Sequence, residues 1–171
     1  RQDNAAPAIL GGFCMALIEN GNVVAERIDI PSQWKAVVAI PDFELHTEKA
    51  RAVLPASYVR SDVVHNIGAV SFLMAAFMYN KPEYLKFGLD DHVHVPYRLG
   101  LIPGSEEVIR SSVKAGAYGA TISGSGPTII AFSPSDKAHL VGESMVSTFK
   151  HHGITSSYIV LDFDQSGISA V

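Results

Sequence analysis

The densest chemistry in the chain lies in Gly116-Ala-Tyr-Gly-Ala-Thr-Ile-Ser-Gly-Ser-Gly-Pro-Thr128, where four of the 14 glycines fall within 11 residues. A loop of this composition turns sharply, presents successive backbone N–H groups and lets an anion approach the main chain. Its flanks, Ala120-Thr-Ile122 and Thr128-Ile-Ile-Ala-Phe132, are strand-like, so a tight β-hairpin accounts for the same residues. The two readings are compatible, because a hairpin tip can carry an anion site. Thr47 stands four residues before Arg51, a spacing that puts a hydroxyl and a guanidinium together on one helical turn. Asp3-Asn4, ahead of an apolar run, reads by itself as a helix cap.

Other reactive residue types carry less. Asp90-Asp-His-Val-His94 has the composition of a metal site, and His92 and His94 would share one face of a strand. A third ligand at a recognisable spacing is missing, so no metal is assigned. His151-His152 falls at a helix end, where an imidazolium suits the dipole. His65-Asn66, near the start of a long helix, reads as an ordinary polar edge. The single cysteine, Cys14, leaves no internal disulfide; it reads as a core thiol and points to a reducing compartment. A net charge of −4 offers no footprint for nucleic acid or an anionic membrane. No apolar run is expected to reach the roughly 18 residues that span a bilayer.

Positioning these residues requires a scaffold, and the pattern specifies one. Residues 5–19 are apolar and Gly-punctuated, Glu19-Asn-Gly-Asn22 is a hairpin signal, and Val23 to Ile30 alternates like a strand. Trp34 to Ile40 reads as a buried strand. A helix is expected from Arg60-Ser-Asp62 to about Asn80, with a broad apolar face over Val63, Val64, Ile67, Val70, Phe72, Leu73, Ala76 and Phe77. A short helix follows over Glu83 to Gly88, then one capped by Ser105, then the two strands around the Gly-rich loop. A further helix runs from Ser135-Asp136 to His151-His152-Gly153, and Ser156 to Asp162 is the last strand. From Trp34 on, the order strand, helices, strand, strand, helix, strand predicts an α+β fold of the ferredoxin-like split βαβ kind, an antiparallel sheet with helices on one face. Residues 1–33 fall outside that unit and read as a hairpin belonging to a separate domain, with 34–171 as the ferredoxin-like domain.

Asp3-Asn-Ala-Ala-Pro-Ala-Ile-Leu-Gly-Gly12, Thr47-Glu-Lys-Ala-Arg-Ala-Val-Leu-Pro55, Tyr97-Arg-Leu-Gly-Leu-Ile-Pro-Gly104 and the Gly116 to Thr128 loop together resemble the homoserine kinases. Those enzymes belong to a small-molecule kinase superfamily that includes galactokinase and mevalonate kinase. The resemblance implies transfer of the ATP γ-phosphoryl group to the hydroxyl of L-homoserine, in threonine biosynthesis, in the cytoplasm. It implies Arg51 and Arg98 as a clamp on the substrate carboxylate, with Thr47 and Asn4 as further substrate contacts. Ser123, Gly124, Ser125 and Gly126 are implied to line the nucleotide phosphates. The family also carries an Asn at a place comparable to Asn66. No catalytic base is implied, since phosphoryl transfer rests mainly on positioning and charge stabilisation.

The family's Pro-x-x-x-Gly-Leu-Gly-Ser-Ser-Ala phosphate loop has no counterpart in this sequence, and Arg1-Gln2 stands where His-Pro is expected. The resemblance therefore implies the C-terminal part of a kinase, with residues 1–33 a remnant of its ATP-binding domain and the Mg²⁺ ligands in the other half. The chain alone is expected to be inactive. A second chain or domain carrying the phosphate loop, and a homodimer, are the implied partners. Two alternatives stay open: a non-catalytic amino-acid-binding domain of the same fold, and another small-molecule kinase of the superfamily.

Overall fold

The computed structural model describes residues 2–168, with side chains from residue 5 onward. Its centre is β3 (Trp34–Pro41), a strand apolar on both faces. β3 pairs antiparallel with β5 (Ile129–Pro134) on one side and β6 (Ser156–Leu161) on the other. β4 (Gly119–Ile122) extends the sheet beyond β5. The resulting order, β4-β5-β3-β6, antiparallel throughout, is that of the ferredoxin-like fold.

Alternation along the strands sends one set of side chains to each face. Val37, Ala39, Ile129 and Ala131 face α6 (Ser105–Lys114) and α7 (Ala138–His151), which contribute Val108, Val141, Met145 and Phe149 to one buried core. A second, smaller core forms around Trp34, where Phe77 from α3 (Arg60–Met78) and Leu85 from α4 (Leu85–Gly88) close over it. Trp34 stacks at tilted angles on Phe77 and Tyr118, at 5.5 and 5.1 Å between ring centroids, and its indole N–H donates to Asn80 Oδ1 at 3.0 Å.

The N-terminal residues form α1 (Gln2–Leu10), β1 (Phe13–Glu19) and β2 (Asn22–Ile28). β1 and β2 make their own two-stranded sheet, turned by Asn20 and Gly21, both at positive φ as the predicted Asn-Gly hairpin requires. Asp3 and Asn4 lie within α1 instead of capping a helix, and their side chains are outside the described residues. The chain after β6 returns to this hairpin: Gly12 N donates to Asp164 O at 2.7 Å, and the Gln165 side chain bonds both backbone groups of Ile30.

Three local expectations change. Ser105 is the first residue of α6, buried, donating its hydroxyl to Leu99 O; the cap position is Gly104, whose φ of 77° suits glycine. The apolar face expected on α3 is largely in solvent: Val63, Val64, Ile67, Val70 and Phe72 are exposed, while Ala69, Ala76 and Phe77 are buried. Thirdly, α3 is long and apolar enough, by length and composition, to cross a membrane. Its polar residues are nevertheless spent on the domain, because His65 and Asn66 bind residues 90–92 and Phe77 sits beside Trp34.

Phe149 is fully buried in the larger core. Phe149→Ala is expected to lower unfolding free energy by about 3–5 kcal/mol. Urea denaturation followed by circular dichroism measures it.

Candidate active site

One cavity of about 880 Å³ opens beside the sheet and gathers residues from four stretches that are far apart in sequence. Thr47 and Arg51 come from α2 (Thr47–Ala52), one turn apart on one face as their spacing predicts. Asn66 comes from α3, and Asp91 and His94 from the turn ahead of α5 (Val95–Leu99). Arg98 lies on α5, while Thr121, Ser123, Gly124 and Ser125 come from the end of β4 and the Gly-rich loop.

Arg98 joins these parts. Its Nε donates to Ala50 O in α2 at 3.2 Å and its Nη1 to Gly124 O in the loop at 3.1 Å. Arg51 has no hydrogen-bond or ion-pair partner among the described residues, so its guanidinium faces the cavity uncompensated. The cavity wall thus holds two guanidinium groups and one carboxylate, Asp91, an arrangement suited to a small anion.

The Gly-rich loop is the hairpin its sequence suggested. Ser123 N donates to Thr128 O at 2.8 Å and Gly126 N to Ser123 O at 3.0 Å, closing a hairpin tip. Among the described residues, the amides of Gly124 and Ser125 have no acceptor, and Gly124, at φ 59°, has open space where a side chain would stand. Gly126 differs from its neighbours. It lies off the cavity wall, and a Cβ there would meet Ile102 Cδ1 at 2.7 Å, so its part is to pack the loop against the core.

Opposite the loop, Asp91 organises the turn before α5. Its carboxylate accepts from the Asn66 amide at 3.1 Å and from the backbone N–H of Val93 at 2.6 Å and His94 at 3.0 Å. Asn66 Oδ1 in turn accepts from His92 N at 2.8 Å, so the turn is pinned to α3 from both sides. Burial alone would raise the Asp91 carboxyl, but the N–H groups of Val93 and His94, the Asn66 amide and nearby His94 outweigh it and hold the group below the ordinary carboxylate value. With its oxygens taken by these donors, Asp91 does not supply an oxygen set for Mg²⁺, and no residue of this cavity is assigned to that ion.

Of the predicted residues, Thr47, Arg51, Arg98, Ser123, Gly124 and Ser125 share one cavity; Gly126 supports it from behind. Asp91, His94 and Thr121 are wall residues that sequence reasoning did not single out. The signal for the first two was present in Asp90-Asp-His-Val-His94. What hid it was the backbone: this segment is a turn, not a strand, so His92 and His94 part company.

Residues 83–151 match the family described as GHMP kinases C terminal. Homoserine kinase from Desulfitobacterium hafniense is 39% identical over 99% of this chain and 57% of its own length, and that from Carboxydothermus hydrogenoformans is 42% identical over 96% and 53%. The crystal structure of homoserine kinase from Cytophaga hutchinsonii superposes with a TM-score of 0.90 at 33% identity, over 97% of this chain and 53% of that one. Mevalonate kinase of L. major, 15% identical with a TM-score of 0.66, shares the fold. Residues 83–151 thus resemble the C-terminal domain of the GHMP kinases. Within that class its relatives along the whole chain are homoserine kinases, and it spans a little over half their length.

Because Asp91 titrates lower in the folded protein than in the unfolded chain, its contribution to stability is complete above its ordinary value of 3.8 and is lost as pH falls through the lower folded value. Asp91→Asn is expected to flatten that acid limb while leaving the rest of the profile in place. Thermal unfolding midpoints from pH 2 to pH 7 for both proteins test it; superimposable limbs would contradict the assignment.

Proposed function

We propose that the chain is the C-terminal part of a homoserine kinase, in which the cavity holds L-homoserine for phosphorylation by ATP in threonine biosynthesis, in the cytoplasm. The observation that carries this reading is the pairing of Arg51 and Arg98 across from Asp91 in one cavity bordered by the free amides of Gly124 and Ser125. Homoserine is a zwitterion, and such a wall offers forked donors to its carboxylate. Thr47, one turn from Arg51, would hold the substrate's orientation. Asn4 is kept as a further substrate contact on the family resemblance.

The loop amides suit phosphate oxygens, which need N–H donors on glycine-rich backbone free of side chains. ATP supplies the phosphoryl group when bound; Ser123, Gly124 and Ser125 would border its phosphates while Gly126 keeps the loop packed. Positioning and charge stabilisation then carry the reaction, and no residue is given the role of base.

The exposed apolar face of α3 fits this reading. Val63, Val64, Ile67 and Val70 present a surface that water does not favour, in a chain about half the length of its relatives. That face would be covered by the ATP-binding half, to which residues 1–33 are assigned, and which would bring the phosphate loop and the Mg²⁺ ligands. A homodimer of the complete enzyme is part of the same reading.

In the complete enzyme, Arg51→Ala or Arg98→Ala is expected to raise KM for homoserine about 10–100-fold, the loss of a charged hydrogen bond, with the KM for ATP changed little. Steady-state kinetics with each substrate varied separately would show it, and a KM effect confined to ATP would overturn the clamp. The 171-residue chain by itself is expected to show no homoserine phosphorylation. Robust turnover by that chain would overturn the assignment of the phosphate loop to another segment.

A further inference from the structure

Behind the turn that delivers Asp91 and His94 to the cavity, three metal-ligating side chains converge that the proposed reaction does not use. His65 on α3 and Asp90 and His92 on the turn bring one ligand atom each to within 4.8 Å of one another. His65 Nε2 lies 3.0 Å from Asp90 Oδ2, and His92 Nε2 lies 3.7 Å from Asp90 Oδ1. Donors at zinc bond lengths in a tetrahedron are spaced at roughly 3.4 Å, so each imidazole stands near that distance from one oxygen of Asp90. All three side chains are at least a third exposed, which leaves an entry path and room for a water as the fourth ligand.

The surroundings orient the donors. Asp62, one turn before His65 on α3, sits 3.3 Å from His92 Nδ1. A carboxylate there takes the Nδ1–H proton, fixes the imidazole tautomer and leaves the Nε2 lone pair directed at Asp90, as the carboxylates behind metal-bound histidines do. The backbone is equally held, since His92 N donates to Asn66 and the Asp91 carboxylate ties down the next two amides. The rings of His65 and His92 stack at 3.9 Å with 12° between planes. Rotation of one or both rings out of this stack, open to side chains a third or more exposed, is what brings their lone pairs to a single ion.

We infer that His65, Asp90 and His92 form a binding site for one divalent transition-metal ion, of the class zinc, cobalt or nickel, with Asp62 as the carboxylate that orients His92. Two imidazoles and one carboxylate suit borderline ions better than Mg²⁺ or Ca²⁺, which prefer oxygen alone. The ion would staple the start of α3 to the turn that carries Asp91 and His94. It lies on the far side of that turn from the cavity wall and takes no part in phosphoryl transfer.

The test is titration of the chelator-treated full chain with Co²⁺, read by ligand-field absorption near 500–650 nm, and with Zn²⁺, read by calorimetry. One ion per chain with a dissociation constant in the micromolar range or below is expected, with the intense Co²⁺ bands of four-coordination. His92→Gln and His65→Gln should each weaken binding at least tenfold. Asp62→Asn should weaken it about 10-fold while retaining the spectrum. His151→Ala, at the exposed end of α7, should leave it unchanged. Because a substitution can perturb the fold, paramagnetic broadening of histidine ring signals by Co²⁺ in the unsubstituted protein serves as a second readout, with His65 and His92 expected to broaden first. Binding only at millimolar metal, unchanged binding in the His65→Gln and His92→Gln proteins, or broadening centred on other histidines would each overturn the site.

Discussion

The two hydrogen bonds from Arg98 to the carbonyls of Ala50 and Gly124 are the constraint on which the cavity depends. They join α2, α5 and the Gly-rich loop, which have no continuous secondary structure between them. A guanidinium suits this task because its donors leave a rigid plane in fixed directions, so one side chain can hold two backbone segments and still present charge. The sheet and its two covering helices supply the rigid base; Arg98 sets the distance between the walls. Lysine, a single rotatable point of charge, would not reproduce that geometry.

Charge in the cavity is arranged by the same logic. Arg51 and Arg98 place two like charges, with their mutual repulsion, on one cavity wall, and the acid lining it, Asp91, is occupied with amides and so neutralises them only in part. A small anion with two oxygens relieves that repulsion. The opposite wall is stiffened by Asp91 and Asn66, whose reciprocal bonds fasten a turn with no regular structure to the long helix. Rigid walls that need no reorganisation on binding are what positioning-based catalysis requires. The same turn presents different side chains to its two sides, His94 to the cavity and His92 to the cluster with His65.

The composition of the surface also has a single explanation. The chain buries Ala76 and Phe77 of α3 but leaves Val63, Val64, Ile67 and Val70 in water. The relatives are nearly twice as long, so an apolar stripe with no cover here agrees with a fold in which more protein packs against that side.

The sequence by itself determined the main order of strands and helices from Trp34 on, the hairpin at Asn20-Gly21, the loop between β4 and β5, and the pairing of Thr47 with Arg51. Each of these follows from local rules: period-two and period-3.6 patterning, glycine at positive φ, and the four-residue spacing on a helix. Only the tertiary structure decided which of α3's apolar residues would be buried, because a helix that is apolar on most sides does not name its own inner face. It also decided that Gly126 packs while Gly124 faces the cavity, since both are glycines at positive φ and differ only in what stands opposite them. The same holds for the acids and histidines at 90–94. Their composition was visible, but whether they alternate along a strand or divide between the two sides of a turn depends on Asn66, 26 residues before His92, whose side chain reaches the turn only after α3 has folded against it.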